Sequence, residues 1–123
     1  MLDPVACQAT SYRREVVQAL VAERPTIIRG NASEILSLAG EASRGQGVDG
    51  RDPVAAAEEG ARRLARSSGA VVAVTGEVDY VIDGERVVRI EGGSPFMPMN
   101  TALGCSLTGL CGAYVGLGGD PFE

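Results

Sequence analysis

AVVAVTGEVDYVIDGERVVRI, residues 70–90, is the stretch on which the fold turns. Its opening, AVVAVT (70–75), is a continuous apolar run rather than an alternation of apolar and polar positions, the pattern of a strand covered on both faces. Such a strand belongs at the centre of a sheet. DYVI (79–82) and ERVVRI (85–90) are two further β-rich runs around Asp83-Gly84, a dipeptide suited to a two-residue hairpin turn because glycine accepts positive φ. That hairpin is expected at an edge.

Towards the N-terminus, TIIR (26–29) reads as a short β-branched strand and LDPV (2–5) as the end of an earlier one. Ser11 is placed to cap a helix over 12–23, whose Val16, Val17, Leu20 and Val21 make one apolar face and which Pro25 ends. A second helix begins at Asn31, runs to Leu38 or Ala39 and closes at Gly40. EASRGQGVDGR (41–51), with its charges and glycines, reads as a surface loop. Asp52-Pro53 is a cap followed by proline at a first helical position, so a third helix is expected up to Ser68, stopped by Gly69.

On the other side, GGSPFMPM (92–99) reads as a loop, and a last helix starts near Ala102 and fades at Gly118-Gly119-Asp120-Pro121. Helices alternating with buried strands predict an α/β protein with a parallel sheet. Ligands of such sheets collect beyond the carboxyl ends of the strands, which directs attention to the turns after LDPV, TIIR and AVVAVT.

The 123 residues are of single-domain length, and the absences among them exclude whole classes of chemistry. There is no histidine, so no Ser-His-Asp or Cys-His relay can form within the chain. All eleven basic residues are arginines, which removes a P-loop lysine and a Schiff base. Those arginines are scattered and the formal net charge is −5, so nucleic acid is not an expected partner. Cys7, Cys105 and Cys111 are odd in number and lack CxxC spacing, against both a disulfide framework and a zinc site. The start, MLDPVACQ, has no basic segment followed by an apolar one; neither an export signal nor a membrane segment is expected, and the location expected is cytoplasmic.

Four places hold candidate functional residues, each with a plainer alternative. Asp3 could hold Mg²⁺ directly or through water, or be an ordinary turn aspartate. In RGNASE (29–34) Arg29 offers several fixed donors to phosphate, and Glu34 could join Asp3 at a divalent metal; Asn31 and Glu34 also have the spacing of a capping box. Thr75, in VTGE, puts a hydroxyl at the tip of the central strand, for a phosphate oxygen or for the turn itself. ALGC (102–105) at the start of the last helix could cradle an anion with the N–H groups of Leu103, Gly104 and Cys105. Cys105 would then face the ligand, or pack as a small apolar residue, as Cys111 is expected to do.

Taken in order, LDPV, AT (9–10), IRGNASE (28–34), VAVTGEVDYV (72–81) and TALGCSLT (101–108) resemble the hydroxyethylthiazole kinases of the ribokinase-like superfamily. The resemblance runs from Leu2 to about Gly118, and IRGNASE with VTGEVDYV is its specific part. It implies a three-layer ribokinase-like fold, a partial parallel sheet flanked by helices with an edge hairpin. It implies transfer of the ATP γ-phosphoryl group, with Mg²⁺, to the hydroxyl of 4-methyl-5-(2-hydroxyethyl)thiazole in thiamine biosynthesis, in a homotrimer with active sites near subunit interfaces. By position it makes Arg29 and Thr75 ATP contacts, Asp3 and Glu34 the acidic partners of Mg²⁺, and Ala102 a thiazole-site residue. Cys105 stands where related sugar kinases carry an aspartate base, and so is the catalytic candidate.

The departures are local. ACQAT (6–10) replaces the family's GAGAT, and Ala102-Leu103 replaces a common Gly-Thr. The chain corresponds to a central-to-C-terminal portion of one kinase domain, so the 123 residues alone are expected to phosphorylate poorly. The alternatives are another ribokinase-like small-molecule kinase, an ADP-dependent repair enzyme, or a non-catalytic nucleotide-binding remnant.

Overall fold

In the computed structural model, which describes residues 1–40 and 53–123, the apolar run at 70–75 is an inner strand. It is β2, Val71–Thr75, and it pairs in parallel with β1, Ile27–Asn31. On its other side β3, Val78–Ile82, runs antiparallel, followed by β4, Val87–Glu91, at the edge. Leu2 forms a parallel bridge to Ile28, its N–H donating to the Ile27 carbonyl at 2.8 Å and its carbonyl accepting from the Arg29 N–H at 2.9 Å.

The sheet is therefore mixed, not parallel throughout. Gly76 and Glu77 alone join β2 to β3, and a parallel return needs a crossover of a dozen residues or more. The Asp79 carboxylate accepts from the Gly76 N–H at 2.8 Å and holds that tight connection.

The hairpin tip is also displaced by one residue from the expected Asp83-Gly84. The Asp83 N–H donates to the Arg86 carbonyl at 3.3 Å, leaving Gly84-Glu85 as the central pair. Gly84 has φ +96°, the positive value required at the first central position of a type II′ turn. Asp83 instead works through its side chain, accepting from the Glu85 and Arg86 N–H groups at 3.2 and 2.8 Å.

Helix α1, Ser11–Ala22, is capped by Thr10 rather than Ser11. A cap needs extended backbone and an acceptor aimed at the third N–H, and Thr10 has both: φ −145°, ψ 156°, and Oγ1 3.1 Å from the Arg13 nitrogen. Helix α2, Ala32–Leu38, follows β1 directly, and helix α3, Pro53–Ser68, precedes β2. The Asp52 cap and the surface loop expected at 41–51 lie outside the described residues. Within the stretch read as a loop at 92–99, Met97–Met99 make a 3-10 turn, and α4, Leu103–Val115, follows.

Strand alternation separates two faces. Ile28, Val72, Val74 and Ile82 point to one side, where they form the buried core with Ile35 of α2 and Ala57, Ala61, Leu64 and Ala65 of α3. The small residues on α3 allow close approach; a Cβ on Gly60 would lie 3.0 Å from Leu36 of α2. Arg29, Ala73 and Thr75 point the other way, and there α4 lies, with Gly104 against the Arg29 guanidinium. The half-buried positions of α4, namely Gly104, Leu107, Thr108, Cys111, Gly112 and Val115, recur at helical spacing and mark its inner side. α4 has no fully buried residue, so Cys111 is half-buried where complete burial was expected.

The C-terminal segment returns to the hairpin. Arg86 donates to Asp83 at 2.5 Å and to Asp120 at 2.8 Å, and its guanidinium lies 4.1 Å from the centre of the Phe122 ring. No helix among the described residues is long and apolar enough to cross a membrane.

Candidate functional site

Leu2, β1 and β2 run in the same direction, so the residues that follow them gather at one end of the sheet. Asp3 comes after Leu2, the Asn31–Glu34 turn after β1, and Thr75 closes β2, in register with Asn31. Three segments far apart in sequence thus place a carboxylate, a capped helix start and a hydroxyl together, and Arg29 reaches into the middle of them.

Arg29 is 9 % exposed. One terminal nitrogen donates to Thr75 Oγ1 at 2.5 Å, and the other lies 3.5 Å from Asp3 Oδ2. The Thr75 hydroxyl in turn faces the Gly30 carbonyl at 3.4 Å. The Arg29 Nε is buried without a hydrogen-bond partner among the described residues. A guanidinium carries five donors and is costly to bury incompletely paired. Here its contact with the Asp3 carboxylate is long, 3.5 Å, which leaves a fixed cation with donor capacity for an anionic ligand.

Helix α4 completes the cationic corner. Ala102, its N-cap, has φ +68°, and the helix starts immediately above Arg29. A Cβ at Gly104 would come within 2.7 Å of one guanidinium nitrogen and 2.9 Å of the other, so only glycine lets the helix terminus and the arginine approach this closely. The unpaired N–H groups of the first turn and the helix dipole add to the arginine charge. Thr108, one turn further, donates to Asp3 Oδ2 at 2.6 Å.

Glu34 has the capping role that its spacing allowed. Asn31 Oδ1 accepts from the Glu34 N–H at 3.0 Å, and Glu34 Oε2 accepts from the Asn31 N–H at 2.9 Å, a reciprocal capping box. Glu34 Oε1 accepts from the Ala6 N–H at 3.0 Å and so fastens α2 to the turn that follows Asp3. Each of these oxygens retains a lone pair, and Asp3 Oδ1 has no hydrogen-bond partner among the described residues. These are hard oxygen donors of the kind Mg²⁺ takes, usually one or two carboxylates with water and phosphate making up the rest of the octahedron. No group of three or more potential ligands occurs among the described residues, so a metal held here would depend on such non-protein oxygens.

Cys7 sits beneath the same turn, fully buried, its thiol 3.8 Å from the Glu34 carbonyl. Burial pushes the thiol above its ordinary value; the Glu34 charge acts in the same direction and a hydrogen bond with Ser37 opposes both. It is a packing residue, and Gln8 beside it donates to the Ser33 carbonyl.

A cavity of about 470 Å³ opens from Arg29 and Thr75. Gly76 and Glu77 line it from the β2–β3 connection, Asp79 from β3, Ile90 from β4, Met97 from the 3-10 turn, and Leu103, Gly104 and Leu107 from α4. Its size is that of a small-molecule site, with apolar walls and a few convergent polar groups. Of the residues singled out in the sequence, Arg29, Thr75, Leu103 and Gly104 line this cavity. Asp3 reaches it through Arg29, Glu34 lies behind at the capped turn, and Cys105 and Ala102 are exposed at the start of α4, outside the lining.

Thr108 was not singled out by motif. The signal for it was spacing: Gly104, Thr108 and Gly112 are four residues apart and share one side of a helix, so a residue at 108 faces whatever Gly104 approaches.

The sequence model of the hydroxyethylthiazole kinase family matches residues 1–123. A hydroxyethylthiazole kinase of Rhizobium etli is 67 % identical over 114 residues, 93 % of this chain and 44 % of the relative. One from Cereibacter sphaeroides is 61 % identical over 123 residues, all of this chain and 47 % of the relative. The solved structure of a hydroxyethylthiazole kinase protein from Pyrococcus horikoshii superimposes with a TM-score of 0.83 at 31 % identity, covering 98 % of this chain and 44 % of that one. The chain thus spans under half the length of these curated relatives.

Proposed function

This chain belongs to the hydroxyethylthiazole kinase family, and on that premise we propose that it forms the nucleotide- and metal-binding part of a kinase. The reaction proposed is transfer of the γ-phosphoryl group of ATP to the hydroxyl of hydroxyethylthiazole in thiamine biosynthesis. The chain is taken as a central-to-C-terminal portion of one kinase domain.

The observation that carries this reading is Arg29: a nearly buried guanidinium, loosely paired to Asp3, its Nε without a partner among the described residues, pressed against the start of α4. Phosphoryl transfer asks little covalent chemistry of a protein; it asks for positioning and for neutralisation of charge. Arg29 and the Thr75 hydroxyl hold phosphate oxygens, and the N–H groups of Leu103, Gly104 and Cys105 receive the transferring group. Asp3 and Glu34 would hold Mg²⁺, which would supply positive charge to offset that of the phosphate groups. On the open side, Ala102 and Cys105 are left for the acceptor alcohol, with Cys105 beside its hydroxyl. The assembly proposed is a cytoplasmic homotrimer; Leu110, Tyr114 and Leu117, all exposed, support association.

Coverage of under half of each relative favours one second reading, a nucleotide-binding portion that does not turn over by itself. ADP release, measured with and without the thiazole alcohol in the presence of Mg²⁺, separates the two. Release that depends on the alcohol is kinase activity of this chain. Nucleotide binding without release assigns it the binding half alone. Neither binding nor release contradicts both readings.

A further inference from the structure

Thr108 connects two parts of this site that otherwise barely touch. Its hydroxyl has one proton and two acceptors in reach, Asp3 Oδ2 at 2.6 Å and the Gly104 carbonyl at 3.2 Å. Bonding back to the carbonyl four residues earlier is the ordinary habit of a helical threonine. Here the shorter contact goes instead to the carboxylate, at the length of a charge-assisted O–H···O⁻ bond. The same oxygen, Asp3 Oδ2, is the one 3.5 Å from the Arg29 guanidinium.

We propose that Thr108 is a positioning residue: by holding Asp3 Oδ2 it seats the N-terminal turn of α4 over Arg29 and keeps Arg29 from closing onto Asp3. Two features of the fold give a single hydroxyl this leverage. α4 has no fully buried residue, so few contacts hold it on the sheet. Its first turn is also where the tolerance is smallest, since the Gly104 backbone is separated from the guanidinium by less than the room a Cβ needs. Without the hydroxyl, Asp3 Oδ2 is released to Arg29. The arginine then pairs more tightly and turns its donors away from Thr75, while the helix start loses its anchor. The consequence for nucleotide rests on the kinase reading above; the consequence for α4 does not.

The test compares Thr108→Val, which keeps the shape and removes the hydroxyl, with Thr108→Ser, which restores it. Two quantities are measured on this chain: hydrogen-exchange protection of the α4 amides from Ser106 to Leu110, and affinity for Mg·ATP by calorimetry. Thr108→Val is expected to lose about tenfold in both, in line with a charge-assisted hydrogen bond, while Thr108→Ser stays within about twofold of wild type. Protection in β1 and β2 should be unchanged, which separates a loosened helix from a loosened fold. Adding Thr108→Val to Asp3→Asn should cost little beyond Asp3→Asn alone, because the hydroxyl acts through that carboxylate. Thr108→Val with wild-type protection of α4 would overturn the proposal, as would equal losses in the Val and Ser variants. If wild type binds no Mg·ATP, the nucleotide reading falls, and α4 protection decides the role of Thr108 by itself.

Discussion

At Ala6 and Ala102 the backbone enters the left-handed region, with φ +51° and +68°, where an L side chain crowds the following carbonyl. The family resemblance implies glycine at both positions, and the conformation here favours glycine at each. Ala6→Gly should therefore stabilise the protein by about 0.5–1 kcal/mol, read as a higher urea midpoint at unchanged slope; a lower midpoint would mean the alanine methyl contributes packing that outweighs the strain. Gly104 has the opposite requirement. In Gly104→Ala the new Cβ must displace Arg29 or the helix start, and the expected result is a loss of roughly tenfold or more in Mg·ATP affinity, about 1.4 kcal/mol, with little change in thermal midpoint. At this scale the sequence was legible for side chains whose role is local. Asn31 and Glu34 announce a capping box through their spacing alone. For Arg29 the sequence offered the donors but not their partners, which lie 26 and 46 residues away and which only the fold brings near.

Among the elements, the central strand, the edge hairpin and all four helices could be read from apolar periodicity, caps and breakers. The direction of β3 could not be read from composition, because a buried run looks alike whether its neighbour is parallel or antiparallel. The two-residue connection at Gly76-Glu77 carried that information, being too short for a crossover. The hairpin and the C-terminal segment are joined by a feature no periodicity reveals, the pairing of Arg86 with Asp83 and Asp120. Hydrogen bonds from the Arg86 backbone and side chain hold Asp83 below the ordinary carboxylate value of 3.8, and the Arg86 side chain does the same for Asp120. Carboxylates lowered in the folded state stabilise it above the unfolded value, and that contribution is lost as pH falls through the folded one. The C-terminal segment should hence stay docked at neutral pH and release below about pH 4, tracked by the NMR signals of the Phe122 ring that stacks on Arg86. Ring signals unchanged down to the pH at which the whole chain unfolds would show that the pair does not hold the segment.

For the molecule as a whole, one layer packs α2 and α3 on the sheet around a buried, largely apolar core, and the opposite layer is α4, laid over Arg29 with its outer side open. The two layers differ in how they are held. α3 presents a run of small and apolar residues to the sheet, whereas α4 is seated by a glycine contact and a hydrogen bond to Asp3. A site between a rigid sheet end and a lightly held helix suits a ligand whose charge draws the two together. In the proposed function Arg29 is the cationic centre of a nucleotide site. Calorimetric titration of wild type and Arg29→Ala with ATP, with and without Mg²⁺, tests it directly. Binding that depends on Mg²⁺ and is lost in Arg29→Ala, while Arg86→Ala binds as wild type, is the result predicted. Equal affinity in wild type and Arg29→Ala would contradict it.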